Sequence, residues 1–214
     1  MRKPAVMIKN ASDTMSYPSQ PTHSITQPLL FRSLRGQLVS VREARPADAA
    51  RLVELLRGLS ERTLQFRYMH LRYMSPGTAW TEATRMAQGR APEHTTLLAT
   101  VGPPGHEEAV AAAELVRDPY NLAAGEIALV VRDDVQQQKI GSFLLWRLIR
   151  VAQRDGITRL SANMLAENRA MLRLVVGLGL PYSASTRHGE TEVQISLPSM
   201  PVGAYASSAR QPGA

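Results

Sequence analysis

Residues 125–154, GEIALVVRDDVQQQKIGSFLLWRLIRVAQR, read as a strand, a tight loop and a long helix. Ile127, Leu129 and Val131 alternate with Ala128 and Val130 in a short, apolar, β-branched run, as in a buried strand. Arg132, Asp133 and Asp134 break it. Ile140, Leu144, Leu148 and Val151 then recur at helical spacing, with Phe143, Leu145 and Ile149 widening the stripe. A strand that feeds a helix through a tight loop aims free backbone N–H groups and the positive end of the helix dipole at one point. That arrangement suits a phosphate or pyrophosphate. Many strand–loop–helix units bind nothing, so the loop residues carry the weight.

Outward from this stretch, the chain has 214 residues, enough for one ordinary domain with a sizeable core. Its net charge of +7 is uneven. Residues 1–36 hold Arg2, Lys3, Lys9, Arg32 and Arg35 against Asp13, so +4 sits there and +3 on the rest. A basic arm on a near-neutral domain argues against nucleic acid as the partner. There is no cysteine, which excludes disulfides, thiolate metal sites and a cysteine nucleophile and fits a cytoplasmic protein. No apolar run approaches the ~20 residues that span a bilayer, and neither a secretory signal nor an Arg-rich transit helix is read at the N-terminus.

Residues 1–36 are rich in Ser, Thr, Pro and Gln and read as a disordered tail, with Leu29-Leu30-Phe31 as a candidate partner-binding element. The domain is expected over 37–197. Leu38 to Val41 is a strand, and Pro46 and Asp48 open a helix through Leu56 that Gly58 ends. Ser60 caps a second helix over 59–72 whose Leu64, Tyr68 and Leu71 share a face with Arg62, Arg67 and Arg72 interleaved. That face is either core or the wall of a cleft. After a short helix at Trp80–Ala87, strands at 95–101 and 110–116 flank the turn Gly102-Pro103-Pro104-Gly105. Beyond the long helix, 157–165 is a strand parallel to the central one, because a helix separates the two. Residues 166–178 are helical, and 182–187 with 192–197 make a terminal hairpin. Residues 198–214 read as a second tail. The expected fold class is α/β, a mixed central sheet flanked by helices.

The loop resembles the acyl-CoA-binding motif of the Gcn5-related N-acetyltransferase (GNAT) family, Gln/Arg-x-x-Gly-x-Gly/Ala. Gln136 fills the first position and Gly141 the last, while Lys139 stands where the middle glycine belongs. A lysine there is tolerable if the residue is helical, and its ammonium could meet a phosphate; it is unfavourable if the position needs φ > 0. Glu167-Asn168-Arg169-Ala170-Met171 resembles the family's asparagine motif, and the whole of 37–197 follows the family's element order. Read without the resemblance, Asn168 is a helix N-terminal residue.

The resemblance implies the acyl-CoA N-acyltransferase fold, in which the two parallel strands splay apart. It also implies acetyl-CoA as cosubstrate. The backbone of Leu129 and Val131 would pair with pantetheine, and the Leu129 N–H would polarise the thioester carbonyl. Gln136, Gln138, Lys139, Ile140, Gly141 and Ser142 would surround the pyrophosphate, Gly141 where backbone must approach phosphate. Asn168 would contact pantetheine. An amine acceptor needs a base near neutrality, because a lysine amine titrates near pH ~10.4. Glu126, the acid inside the central strand, is the candidate. Burial there would raise its pKa; otherwise it is a strand-edge residue near solvent. Protein-lysine acetyltransferases of the bacterial Pat type carry a Glu at this position, and their Leu-Ser…Arg-Phe segment is similar to 59–72 here.

The expected function is therefore transfer of an acetyl group from acetyl-CoA to a primary amine, a protein lysine slightly ahead of a small molecule. Without cysteine, attack would be direct, in a ternary complex. The rival is a non-catalytic acyl-CoA sensor of the same fold, favoured by Lys139 and by Val175 standing near where many small-molecule members carry a tyrosine acid. Tyr120 or Tyr182 could substitute. The histidines His23, His70, His94, His106 and His188 show no metal spacing, and no metal is expected.

Overall fold

The structure, a computed structural model, describes residues 28–198; the rest of both expected tails, 1–27 and 199–214, lies outside the described residues. Strands β1 (Leu29–Arg32), β2 (Leu38–Glu43), β3 (His94–Val101), β4 (Glu108–Arg117), β5 (Ala124–Val131), β6 (Arg159–Leu165), β7 (Tyr182–Arg187) and β8 (Glu190–Ser196) form one open sheet in the order β1-β2-β3-β4-β5-β6-β8-β7. Every neighbouring pair is antiparallel except β5 and β6, which the long helix connects. The helices are α1 (Ala49–Arg57), α2 (Glu61–Tyr68), α3 (Pro76–Gln88), α4 (Ile140–Arg154) and α5 (Arg169–Val176).

The period of two along β5 sends its residues to two separate cores. Val130 joins Leu98, Ala112, Leu52, Leu56 and Met86 under α1 and α3. Ile127 and Leu129 lie on the opposite face with Leu115, Leu144 and Leu148 against α4. Leu52, Leu56, Leu98 and Leu144 are wholly buried, and burial of such a side chain is worth about 1.5–3 kcal/mol. This two-sided burial is what the apolar central run demands. Among the described residues no helix is long and apolar enough to cross a membrane.

Two expectations are corrected. The sheet begins at Leu29, inside the stretch read as a tail. Leu29 to Arg32 pair with Val41 to Leu38, and Phe31 stacks on Phe143 of α4 with ring centroids 4.3 Å apart. Leu29-Leu30-Phe31 is thus the sheet's own edge strand, with β2 as its partner, and polar residues upstream hide its apolar character in a composition window. Second, α2 ends at Tyr68 rather than Arg72, because Met69 turns to φ 59°. Ser60 does cap it, accepting from the Thr63 N–H at 3.2 Å.

Candidate active site

β5 and β6 pair only at Ala124↔Arg159, Gly125↔Leu160 and Glu126↔Ser161. Beyond Glu126, β5 stays on β4 as far as Val131↔Ala111, and β6 stays on β8 as far as Leu165↔Glu190, so the two parallel strands part. The ladder fixes what faces the gap. Arg132 N–H donates to Val110 O at 2.8 Å, on the β4 side. Alternation along an antiparallel pair then turns Val130, Ala128 and Glu126 to β4 and Ile127, Leu129 and Val131 to the gap. Ala123 O, of that second parity, accepts from Arg159 N–H at 3.1 Å, which confirms the direction. The backbone of Leu129 therefore points where an extended, amide-bearing ligand could add as a strand.

One of these groups is already engaged. Gln136 Nε2 donates to Val131 O at 3.1 Å and to Thr63 Oγ1 at 3.3 Å. Gln138 is buried, its Oε1 accepting from Ser33 Oγ at 3.0 Å, and its backbone O accepting from Leu34 N–H at 3.4 Å. The side chains of Gln136 and Gln138 thus hold the loop in shape, the latter against the β1–β2 turn. The first α4 ladder bond runs from Phe143 N–H to Lys139 O at 3.0 Å. The amides of Ile140, Gly141 and Ser142 precede it and form the free end of the helix, a fit for a phosphate. The Ile140 side chain is buried in the core, so only its amide can serve there. Gly141 has a further duty: a Cβ would lie 3.3 Å from Leu129 Cδ2 and Leu174 Cδ1. The absent side chain lets α4 settle onto β5 and α5, where close approach to phosphate alone was expected. Asn168 Oδ1 accepts from Met171 N–H at 3.1 Å as the cap of α5, which leaves its NH₂ end for a ligand.

Lys139 adopts φ 69°, in the left-handed region that disfavours every residue with a Cβ. Lys139→Gly is therefore expected to raise stability by about 1 kcal/mol, readable in urea denaturation, with acetyl-CoA affinity held. A tenfold loss of that affinity in isothermal titration would instead make the ammonium a phosphate ligand.

Glu126 lies at the foot of the gap, and it is exposed. The burial expected from the apolar strand around it is absent at this residue. It lines a cavity of about 480 Å³ with Val116, Asp118, Arg159, Ser161 and Glu192. Asn163 Nδ2 donates to Glu126 Oε1 at 3.4 Å from the neighbouring strand. Val175 is buried and Tyr120 is 97% exposed, so neither supplies a placed acid.

A second carboxylate, which the sequence reading passed over, is the deeply buried one. Glu114 pairs with Ala128 across β4 and β5 and so shares a face with Glu126. It is ion-paired to Arg67 of α2 and to Arg85 of α3 at 2.8 Å, and lies 2.9 Å from His94 Nε2. Burial pushes its pKa up, but the His94 hydrogen bond and the Arg67 and Arg85 charges outweigh it and hold the carboxyl at about 2. Tyr68 donates to Glu82 Oε1 at 3.1 Å, and burial raises its phenol well above the usual range. The signal for Glu114 was an acid inside an alanine-rich apolar strand, the same signal that singled out Glu126.

This geometry has known counterparts. The curated protein Acetyltransferase Pat of Mycolicibacterium smegmatis is 30% identical over 152 residues, which cover 71% of this chain and 44% of Pat. The chain thus spans less than half the length of that relative. The solved GNAT domain of S. lividans PAT matches with TM-score 0.70 at 22% identity, over 79% of this chain and 97% of that one. A cAMP-binding acyltransferase from Mycobacterium smegmatis matches with TM-score 0.55 at 25% identity, over 81% and 48%. A family model described as Acetyltransferase (GNAT) family matches residues 61–179, from the start of α2 past the end of α5. That span contains the parting strands, the loop and the free helix end together, and the chain belongs to the acetyltransferase (GNAT) family.

Proposed function

We propose that this domain transfers an acetyl group from acetyl-CoA to a primary amine, with a protein lysine slightly favoured over a small molecule, in a cytoplasmic setting. The observation that carries it is the parting of β5 and β6 directly above Glu126, with the Leu129 backbone turned into the gap. Bound acetyl-CoA supplies the activated acyl group. The amides of Ile140, Gly141 and Ser142 hold its pyrophosphate, and the edge of β5 aligns pantetheine. Leu129 N–H donates to the carbonyl oxygen as negative charge develops there. Glu126 takes the proton from the attacking amine, directly or through one water in the cavity it lines. With no cysteine in the chain, the amine attacks the acyl carbon itself; the C–N bond forms as the thioester C–S bond breaks, and CoA leaves as a thiolate that takes a proton from solvent. The likeness to Pat supports a protein lysine as acceptor.

A thiol-release assay with acetyl-CoA against lysine peptides, polyamines and small amines tests this. Thiol release that depends on the amine, highest with lysine peptides, is expected. Tight binding of acetyl-CoA without turnover on any amine would overturn the enzyme in favour of the sensor, the reading that the strained Lys139 backbone favours.

A further inference from the structure

α2 packs on the face of β5 and β6 that Glu126 shares, and Leu64 is its one buried residue. So little apolar anchorage does not fix a two-turn helix in place. Polar contacts at both ends do the rest. At its start, Asp133 of the loop between β5 and α4 accepts from Ser60 N–H at 3.0 Å, Ser60 Oγ at 2.7 Å and Thr63 Oγ1 at 2.7 Å. Gln136, from the same loop, reaches Thr63 as well. At its end, Arg67 reaches Glu114 on the sheet. The chain beyond α2 continues across the face, where His70 Nε2 comes within 3.7 Å of Glu190 Oε1 on β8. α2 and its extension thus lie along the face that Glu126 shares, while the loop that ties them down is the loop that ends in the free amides of α4.

We infer that Asp133 is a positioning residue through which the cofactor loop holds α2 as the acceptor-side wall, so that cofactor binding strengthens acceptor binding. Asp133 itself does not face the gap; its carboxylate is spent on the start of α2. A ligand that orders residues 132–142 orders α2 through these bonds, and by linkage an acceptor packed against α2 tightens the cofactor by the same factor. For the kinetic arm, this rests on the acetyltransferase reading above.

The test uses Asp133→Ala in the full chain. With acetyl-CoA and a lysine peptide, KM for the peptide at saturating acetyl-CoA and KM for acetyl-CoA at saturating peptide are each expected to rise about tenfold, with kcat within about threefold. Asp133→Asn, which keeps an acceptor for the hydroxyls, is expected to recover part of the loss. An unchanged peptide KM, or a loss confined to acetyl-CoA, overturns the inference. Hydrogen–deuterium exchange of residues 61–68 supplies an arm that needs no turnover. Asp133→Ala is expected to speed exchange there without ligand, and to abolish the slowing that CoA causes in the parent. Equal exchange in parent and variant overturns the inference even where amine turnover is present. Faster exchange in the variant with no turnover on any amine sustains the clamp and sinks the acetyltransferase reading alone.

Discussion

Glu126→Gln should lower kcat by about 10²–10⁴-fold, the usual worth of a general base, while acetyl-CoA binds nearly as before. The substitution keeps the side chain's size and its hydrogen-bonding distance from Asn163, and removes only the capacity to accept a proton. Asn163 donates at 3.4 Å, and a glutamine oxygen can take that bond unchanged. The cofactor contacts proposed here are backbone groups of β5 and the start of α4, which the mutation does not touch. Direct attack by the amine also predicts no burst of free CoA before acceptor is added. Full turnover by Glu126→Gln would remove Glu126 from the chemistry.

The strand–loop–helix unit was legible because its signals are local. Alternation along 127–131, the acidic break and the helical stripe from Ile140 lie within one stretch, and the structure has β5 and α4 where they point. The parallel placement of β6 followed from the helix between the strands. What stayed hidden depends on contacts distant in sequence. β1 is short, and its apolar character is realised only when Phe31 meets Phe143. Gln136 and Gln138 match a motif, yet their side chains turn to Thr63 and Ser33, partners that no spacing could indicate. Gly141 was legible as a close-approach residue, but not that its neighbours are Leu129 and Leu174. Lys139 left two backbone states open, and the left-handed one is adopted. Burial of Glu126 was inferred from the apolar strand around it; its neighbours Gly125 and Ile127 are buried, but Glu126 itself is exposed. The deep burial belongs to Glu114, whose strand runs beside it.

Glu114 carries the largest expected effect on stability. Glu114→Ala removes the anion at the centre of a buried charge cluster and leaves Arg67 without its carboxylate, while Arg85 keeps Glu82 at 2.7 Å. Breaking such a pair from one side costs about 3–5 kcal/mol. For a domain of this size, that is a fall in Tm on the order of 10 °C. Arg67, with 13% of its side chain exposed, bears more of the cost than Arg85 at 45%, whose charge solvent partly screens. The same cluster gives stability a pH dependence of known sign. The folded carboxyl sits at about 2, below its ordinary 4.5, so the unfolded chain binds the extra proton in between. The contribution, about 3 kcal/mol, is complete above pH ~4.5 and drains away as pH falls toward ~2. Glu114→Gln cannot titrate, so the difference in unfolding free energy between parent and Glu114→Gln should shrink across that window while other acids cancel between the two proteins. Urea melts at pH 6, 4 and 3 would read it. A difference that stays constant over the three pH values would mean that Glu114 is not held as a buried anion, and the account of how Arg67 fastens α2 to the sheet would go with it.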